Sequence, residues 1–266
     1  MNPPVKLRLI YALTVAFAVL AIWKMAALAV HQSGNGSDRV VTVTYAVFDV
    51  MIGCTLCRAV WRLLAQFYLS RKWLKRYRLG KHAKLTKRLH SAYRSWGTEM
   101  IVVRDDAFVA LTLGMLRPKI VISTAVLRMF SKDEVKAILL HEWYHCRNRD
   151  NAKLFLLTLL SDAFVYCPIV RSVLTYYRTW NELLADRFAI RRMGTELHLG
   201  SVLLKLSKCS NLRHVAAAVH FTDTTMHYRI QQVLEPDKPV NVRIDWLRPL
   251  LLSCSLLLLL ALGGDS

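Results

Sequence analysis

The run His141-Glu142-Trp143-Tyr144-His145 sets two imidazoles four residues apart with a carboxylate beside the first. On a helix His141 and His145 share one face, one turn apart, which is the spacing two nitrogen ligands of one Zn²⁺ need. Glu142 is rotated from His141 by about 100° and stands next to the ligand face, not on it. A carboxylate there can take a proton from a zinc-polarised water, whose pKa falls to about 7, and pass it to a leaving amine. The pattern therefore reads as a zinc hydrolase site with Zn²⁺ as cofactor, His141 and His145 as metal ligands and Glu142 as general base.

Such a site needs a third protein ligand and a helix to hold the first two. The helix is signalled by Ser131 and Glu134, a capping-box pair, followed by Val135, Ile138, Leu139 and Leu140 at helical spacing. A metzincin would carry its third His at position 151 and a Gly at 148; Asn151 and Asn148 exclude that class. Asp150 lies five residues past His145, about where the helix should end, and reads as a charge near the turn. The better source is Asn181-Glu182-Leu183-Leu184-Ala185-Asp186, expected at the head of a second helix that runs to Met193 before Gly194. Glu182 and Asp186 share a face, so one can bind zinc while the other accepts a hydrogen bond from a liganding His. The plainer role for both is pairing with Arg178, Arg187 or Arg191 on a solvated face, a role the upstream His-Glu-x-x-His motif makes secondary.

Four stretches together resemble the membrane gluzincin peptidases of the beta-lactam sensor-transducer (antirepressor) family. They are Leu113 to Ser123, Ser131 to Glu134, His141 to Asp150 and Glu182 to Asp186, and Tyr228 to Leu234 is similar to a short Arg-Ile motif late in that peptidase domain. The resemblance covers about residues 60 to 235. It implies that His141, His145 and Glu182 bind the zinc and that Glu142 is the base, which leaves Asp186, on the face of Glu182, to accept a hydrogen bond from a liganding His. It also implies a bacterial cell membrane and a repressor-like substrate. The chain stops at Ser266, so the expectation is a peptidase without the family receptors' large extracellular penicillin-binding domain. Ala185 stands where the family often has Cys, which leaves substrate and stimulus open.

Composition places these residues in a membrane protein. Over 266 residues, 54% are hydrophobic and the mean hydropathy is +0.28, too apolar for an ordinary soluble domain. Leu9 to Val30, Val40 to Ala59 and the short Leu247 to Leu262 are the expected spans. The second contains Asp49, which in a membrane should face other helices or water. Residues 71 to 94 hold ten Lys/Arg and no acid, a positive-inside signal that puts the zinc domain in the cytoplasm. Lys6 and Arg8 put the N-terminus there too, leaving His31 to Arg39 as a short external loop. The expected organisation is a transmembrane hairpin in residues 1–66, a cytoplasmic metallopeptidase domain in 67–240 and a C-terminal span in 241–266.

Leu154 to Leu174 is apolar enough to cross a membrane, yet a crossing there would separate Glu182 from His145. Two ligands of one metal cannot lie on opposite sides, so this segment is expected to be a buried or membrane-apposed helix pair; the alternative is a true span, in which case Glu182 is not a ligand. The break in the pair should fall near Cys167-Pro168, and the segment carries Asp162. Within the catalytic domain the pattern predicts a basic amphipathic helix over Leu69 to Trp96. Strands are predicted at Met100 to Arg104, Phe108 to Leu113 and Ile120 to Ser123, with a hairpin turn at Asp105-Asp106. Helices follow at Leu197 to Ser207 and Met226 to Leu234. The expected fold class is an α+β integral membrane protein with a gluzincin-like zinc peptidase domain and a small antiparallel sheet. An edge strand of that sheet suits an extended peptide segment.

The net charge of +19 raises nucleic-acid binding, but the excess adjoins a membrane span, where anionic lipid is the simpler partner. The six Cys read as small apolar residues in membrane and cytosol, not as disulfides. Tyr176, Tyr177, His198 and His214 are the candidates for oxyanion stabilisation, and nothing in the sequence selects among them. The expected function is an integral-membrane zinc endopeptidase cleaving a cytoplasmic, repressor-like regulatory protein. The alternative is a non-proteolytic membrane transducer that keeps the peptidase fold; it would have no need of Glu142.

Overall fold

The computed structural model describes residues 3–31, 39–209, 223–236, 238, 240–243 and 245–262. Among the described residues the chain is mostly helical and divides into two compact units. One comprises residues 1–67, 155–177 and 243–266, the other residues 68–154 and 178–242. The expected external loop lies mainly outside the described residues, as does His214.

The first unit gathers the apolar helices. Helix α1 is Pro3–His31 and α2 is Arg39–Leu79; within them Pro3–Trp23 and Asp49–Leu79 are long and apolar enough to cross a membrane. Of the three expected spans, the last is helix α10, Leu247–Leu262, whose 16 residues fall short of the roughly 20 a crossing takes. The apolar segment after the His-Glu-x-x-His motif is a helix pair, not one rod: α6, Asp150–Ala163, breaks before α7, Pro168–Met193. Pro168 supplies no backbone N–H and opens α7 at the position where none is needed. Around the break Leu160, Ala163, Phe164, Cys167 and Val170 pack with Ala18 of α1. Thr55 Oγ1 lies 3.2 Å from the Tyr166 hydroxyl, and Ile169 N donates to Ser253 Oγ at 3.2 Å. The segment thus groups with the terminal helices.

The second unit is built around a three-stranded sheet of β1 (Met100–Val103), β2 (Ala110–Leu113) and β3 (Lys119–Ser123) in the order β1-β3-β2. It is mixed, because β1 runs parallel to β3 and β2 antiparallel to it. This corrects the expected antiparallel sheet and moves the hairpin. The Asp105-Asp106 turn does not pair β1 with β2; Asp105 caps its own loop by accepting from Ala107 N at 2.9 Å. The hairpin lies between β2 and β3, where Gly114 takes φ +100. Strand β3 takes the centre, its Val121 and Ile122 fully buried.

The expected basic helix also divides. The span helix α2 runs on without interruption to Leu79, and a separate helix α3, Ala83–Ala92, follows. The break arises because His82 N bonds to Val102 O at 2.8 Å and Arg104 N to Gly80 O at 2.7 Å, so residues 80–82 extend along β1 instead of coiling. Helix α4 is Thr124–Met129 and α5 is Lys132–Asn148. The capping box forms as its residues require: Glu134 N bonds to Ser131 Oγ and Ser131 N to Glu134 Oε2. Such a cap is worth about 1 kcal/mol. Val135, Ile138 and Leu139 of α5 bury against Met100, Val102, Ile120 and Ile122 of the sheet, each side chain contributing about 1.5–3 kcal/mol. The opposite side of α5, including Leu140, packs with Ala189 of α7 and with Leu199 and Leu203 of α8, Leu197–Cys209. Helix α9, Asp223–Leu234, completes the unit.

Candidate metal centre

Helix α5 projects His141 and His145 from one face, both nearly buried. Helix α7 brings Glu182 to them, well inside the helix and not at its head as expected, since α7 begins at Pro168. One ligand atom from each of the three lies within 4.8 Å of the others. His141 Nε2 and His145 Nε2 are 3.1 Å apart, His141 Nε2 and Glu182 Oε2 3.3 Å, and His145 Nε2 and Glu182 Oε1 3.6 Å. Ligands about 2.0–2.1 Å from a tetrahedral Zn²⁺ stand about 3.3 Å from one another, so the triangle has the dimensions a zinc ion needs.

The back of each imidazole is held. His141 Nδ1 donates to Asp186 Oδ1 at 2.7 Å, and His145 Nδ1 donates to Asp150 Oδ2 at 3.0 Å. A carboxylate can only accept, so each Nδ1 carries the proton and each Nε2 lone pair faces the centre of the triangle. Lone pairs and a carboxylate converging in a buried place call for a cation. Without a metal the cation is a proton: burial opposes a charged His141, but the Asp186 carboxylate and its hydrogen bond, with that of Glu182, raise its pKa to about 10.

Arg229 on α9 closes the rear. Its Nε and Nη2 meet the two oxygens of Asp186 at 2.6 and 2.8 Å, and its Nη1 is 3.3 Å from Glu182 Oε2. Burial opposes charge on Asp186 and on Glu182 as well. Arg229 and His141 win at Asp186, and the His141 hydrogen bond with the His145 and Arg229 charges wins at Glu182, so both carboxyls sit below their ordinary range. Glu182 and Asp186 therefore pair with Arg229 and the motif histidines, not with Arg178, Arg187 or Arg191 as the plainer reading had it. Arg187 instead donates to Gln232 Oε1 at 2.8 Å.

Glu142 is partly exposed and is anchored by β2: the Thr112 hydroxyl lies 2.9 Å from its Oε2 and 3.0 Å from its main-chain oxygen. Cys146 is buried one turn on, and burial leads in pushing its thiol up to about 12, assisted by the charges of Glu142 and Asp150. It is an inert neighbour. Of the other cysteines described, Cys167 is buried while Cys54, Cys57 and Cys254 are exposed, and none is in a disulfide.

Sequence reasoning missed Thr112 and Asn151 as groups and Asp150 and Arg229 in their roles. Asp150 holds His145 from behind and is not a loose charge at a turn. Arg229 stood in the late Arg-Ile motif, which was the one available signal; for Thr112 no spacing rule exists. Tyr176 and Tyr177 belong to the other compact unit, where Tyr176 meets Trp246 and Tyr177 meets Tyr11.

Known proteins share this arrangement's sequence. The profile of the family described as BlaR1 peptidase M56 matches residues 24–233, a stretch that contains every residue of the cluster. The regulatory protein BlaR1 of Bacillus licheniformis is 31% identical over 122 residues, which are 45% of this chain and 20% of that protein. The chain thus spans about a fifth of that relative's length. With a helix-borne His-Glu-x-x-His, a distant Glu folded back onto it and a match over most of its residues, the chain belongs to the BlaR1 peptidase M56 family, a family of metallopeptidases.

Proposed function

We propose that this protein is an integral-membrane, zinc-dependent endopeptidase that cleaves a cytoplasmic regulatory protein of the repressor kind. The observation that carries the reading is the triangle of His141 Nε2, His145 Nε2 and a Glu182 carboxylate oxygen with edges of 3.1 to 3.6 Å. His141, His145 and Glu182 hold the metal, and Asp186 orients His141. A bound Zn²⁺ supplies a Lewis acid that activates water at neutral pH and polarises a peptide carbonyl. Glu142, beside the ligand face and steadied by Thr112, takes the water's proton and delivers it to the departing amine nitrogen. An edge strand such as β2 suits an extended substrate segment, which favours a flexible stretch of protein.

The apolar helices α1, α2 and α10 anchor the chain in a bacterial cell membrane. The basic run from Arg71 to Arg94 keeps residues 68–154 and 178–242 on the cytoplasmic side, where it also meets anionic lipid. The helix pair α6–α7 enters the apolar bundle and returns, which puts Glu182 on the same side as His145. N-terminal proteomics of cells expressing wild type or Glu142→Ala tests the function. New N-termini appear only with wild type, while zinc remains bound in the variant; full biological activity in zinc-loaded Glu142→Ala would instead establish the non-proteolytic transducer.

A further inference from the structure

Between α5 and α6 the chain turns within a single residue. Arg149 has φ +52, the only positive φ at a non-glycine among the described residues, a conformation disfavoured for L side chains and found where the surroundings impose it. Its N–H closes α5 on Cys146 O and His145 O, and α6 starts at the next residue. The two residues that follow, Asp150 and Asn151, are thereby aimed back at opposite halves of the site.

Asp150 is 2% exposed. One of its oxygens takes the His145 Nδ1 proton at 3.0 Å, and the other lies 3.4 Å from Lys153 Nζ. Asn151 turns towards the sheet, where its Nδ2 gives one hydrogen to Thr112 O at 2.8 Å and one to Gly114 O at 3.2 Å. The first carbonyl belongs to edge strand β2, whose other side is paired with β3, and the second lies just past the strand's end. They converge on one amide because Gly114, at φ +100, curls the strand's end; a Cβ there would stand 2.9 Å from Arg117 O. With its main chain so held, Thr112 presents its hydroxyl to Glu142 Oε2 and to Glu142 O. The hydroxyl has one proton and serves one of these oxygens at a time.

We propose that the Arg149–Asn151 corner positions both halves of the site: Asp150 fixes the tautomer and ring plane of His145, and Asn151, through Thr112, fixes the carboxylate of Glu142. Asp150, Asn151 and Thr112 are positioning residues, and this assignment rests on the reading of His145 as a metal ligand and Glu142 as the base. The two arms make separable demands. Loss of Asp150 leaves His145 Nδ1 beside the Asn181 amide nitrogen, 3.3 Å away, a donor that favours moving the imidazole proton to Nε2, which weakens the metal and leaves Glu142 tethered. Loss of Asn151 or of the Thr112 hydroxyl leaves the ligands in place and lets Glu142 drift.

The test uses the full-length chain in detergent. Zinc affinity is measured by competition with a chromophoric chelator, and acetohydroxamate binding to the zinc-loaded protein reports on Glu142, which must accept that probe's proton. Asp150→Ala weakens zinc about 10–100-fold, the range for an outer partner of a liganding His, and the isosteric Asp150→Asn, which keeps an acceptor, weakens it less. Asn151→Ala and Thr112→Val leave zinc affinity unchanged and weaken acetohydroxamate severalfold, and Thr112→Ser restores it. Wild-type zinc affinity in Asp150→Ala overturns the first arm, with Asp150→Asn serving if the alanine variant unfolds. Wild-type hydroxamate affinity in Thr112→Val, or no hydroxamate binding by zinc-loaded wild type, overturns the second. A wild-type protein that binds no zinc refutes the metal site itself, a different failure.

Discussion

Arg229→Met isolates what the buried charges behind the metal centre contribute. Arg229 meets both oxygens of Asp186 at 2.6 and 2.8 Å, with side-chain exposures of 5% and 0%, so neither charge reaches bulk water. Removing one partner of a buried ion pair costs about 3–5 kcal/mol, because the other charge stays dry and uncompensated. Here Asp186 and Glu182 would be left to share His141 as countercharge. At about 2–4 °C per kcal/mol for a domain of this size, the melting point should fall by roughly 6–20 °C. The loss is not detachment of α9, which keeps the bond from Gln232 Nε2 to Leu183 O at 3.1 Å; Gln232→Ala, at about 1 kcal/mol, is the control. Thermal unfolding followed by circular dichroism, on metal-free protein at neutral pH, reads the effect. Adding Asp186→Asn to Arg229→Met should recover much of the loss, since the stranded charge is then gone. A drop of less than 2–4 °C, or strictly additive single and double variants, would refute the argument, because it would mean that water reaches these groups and screens them.

Three further outcomes follow from the same geometry. Glu182→Ala removes one of the three proposed ligands; structural zinc sites yield about 10–16 kcal/mol from four, so zinc affinity by chelator competition should fall about 10²–10³-fold, while Ala at an exposed acid elsewhere changes nothing. The raised pKa of His141, about 10 against an ordinary 6.5, means that its protonated form stabilises the metal-free fold fully below pH 6.5. That contribution is lost as the pH climbs through 10. Melting points of metal-free protein should fall across that window, zinc uptake should release a proton measurable by calorimetry in two buffers, and pH-independent values would disprove the His141–Asp186 coupling. Burial opposes charge on Glu134, but Lys205, Ser201 and the Ser131 N–H overcome it and hold its carboxyl down at about 2. The stability it adds is present above pH 4.5 and disappears as the pH falls through 2, so Lys205→Ala should destabilise the protein at pH 7 and not at the acid end. Equal losses at both would show that Lys205 acts by packing.

How far the site could be read without the fold varied residue by residue. His141, Glu142 and His145 come together through helical geometry alone, and the Ser131–Glu134 cap is equally local. The break at Cys167-Pro168 was legible because Pro restricts the backbone wherever it stands and because the need to bring Glu182 back argued against a crossing. The mixed sheet was not legible: Asp105-Asp106 has the chemistry of a turn, but which strands lie side by side is set by long-range pairing, which a turn's own residues do not specify. The division between α2 and α3 was missed for a related reason, since residues 80–82 are extended by bonds to β1 that no local propensity reports.

Local chemistry in the sequence therefore determined the front of the metal centre, its helix, the apolar segments that surround it and the concentration of positive charge. Each of these depends on residues within a turn or two of one another, where the spacing is set by the covalent chain. Only the tertiary structure decided the back of the centre: that Asp150 and not solvent faces His145, that Arg229 from α9 neutralises Asp186 and Glu182, and that Thr112 on β2 steadies Glu142. Those contacts join residues up to 47 positions apart, and a hydrogen bond is set by where two packed elements leave their donors and acceptors, which sequence spacing does not encode. That difference is why the His-Glu-x-x-His motif is visible in five residues while the groups that hold it in place are not.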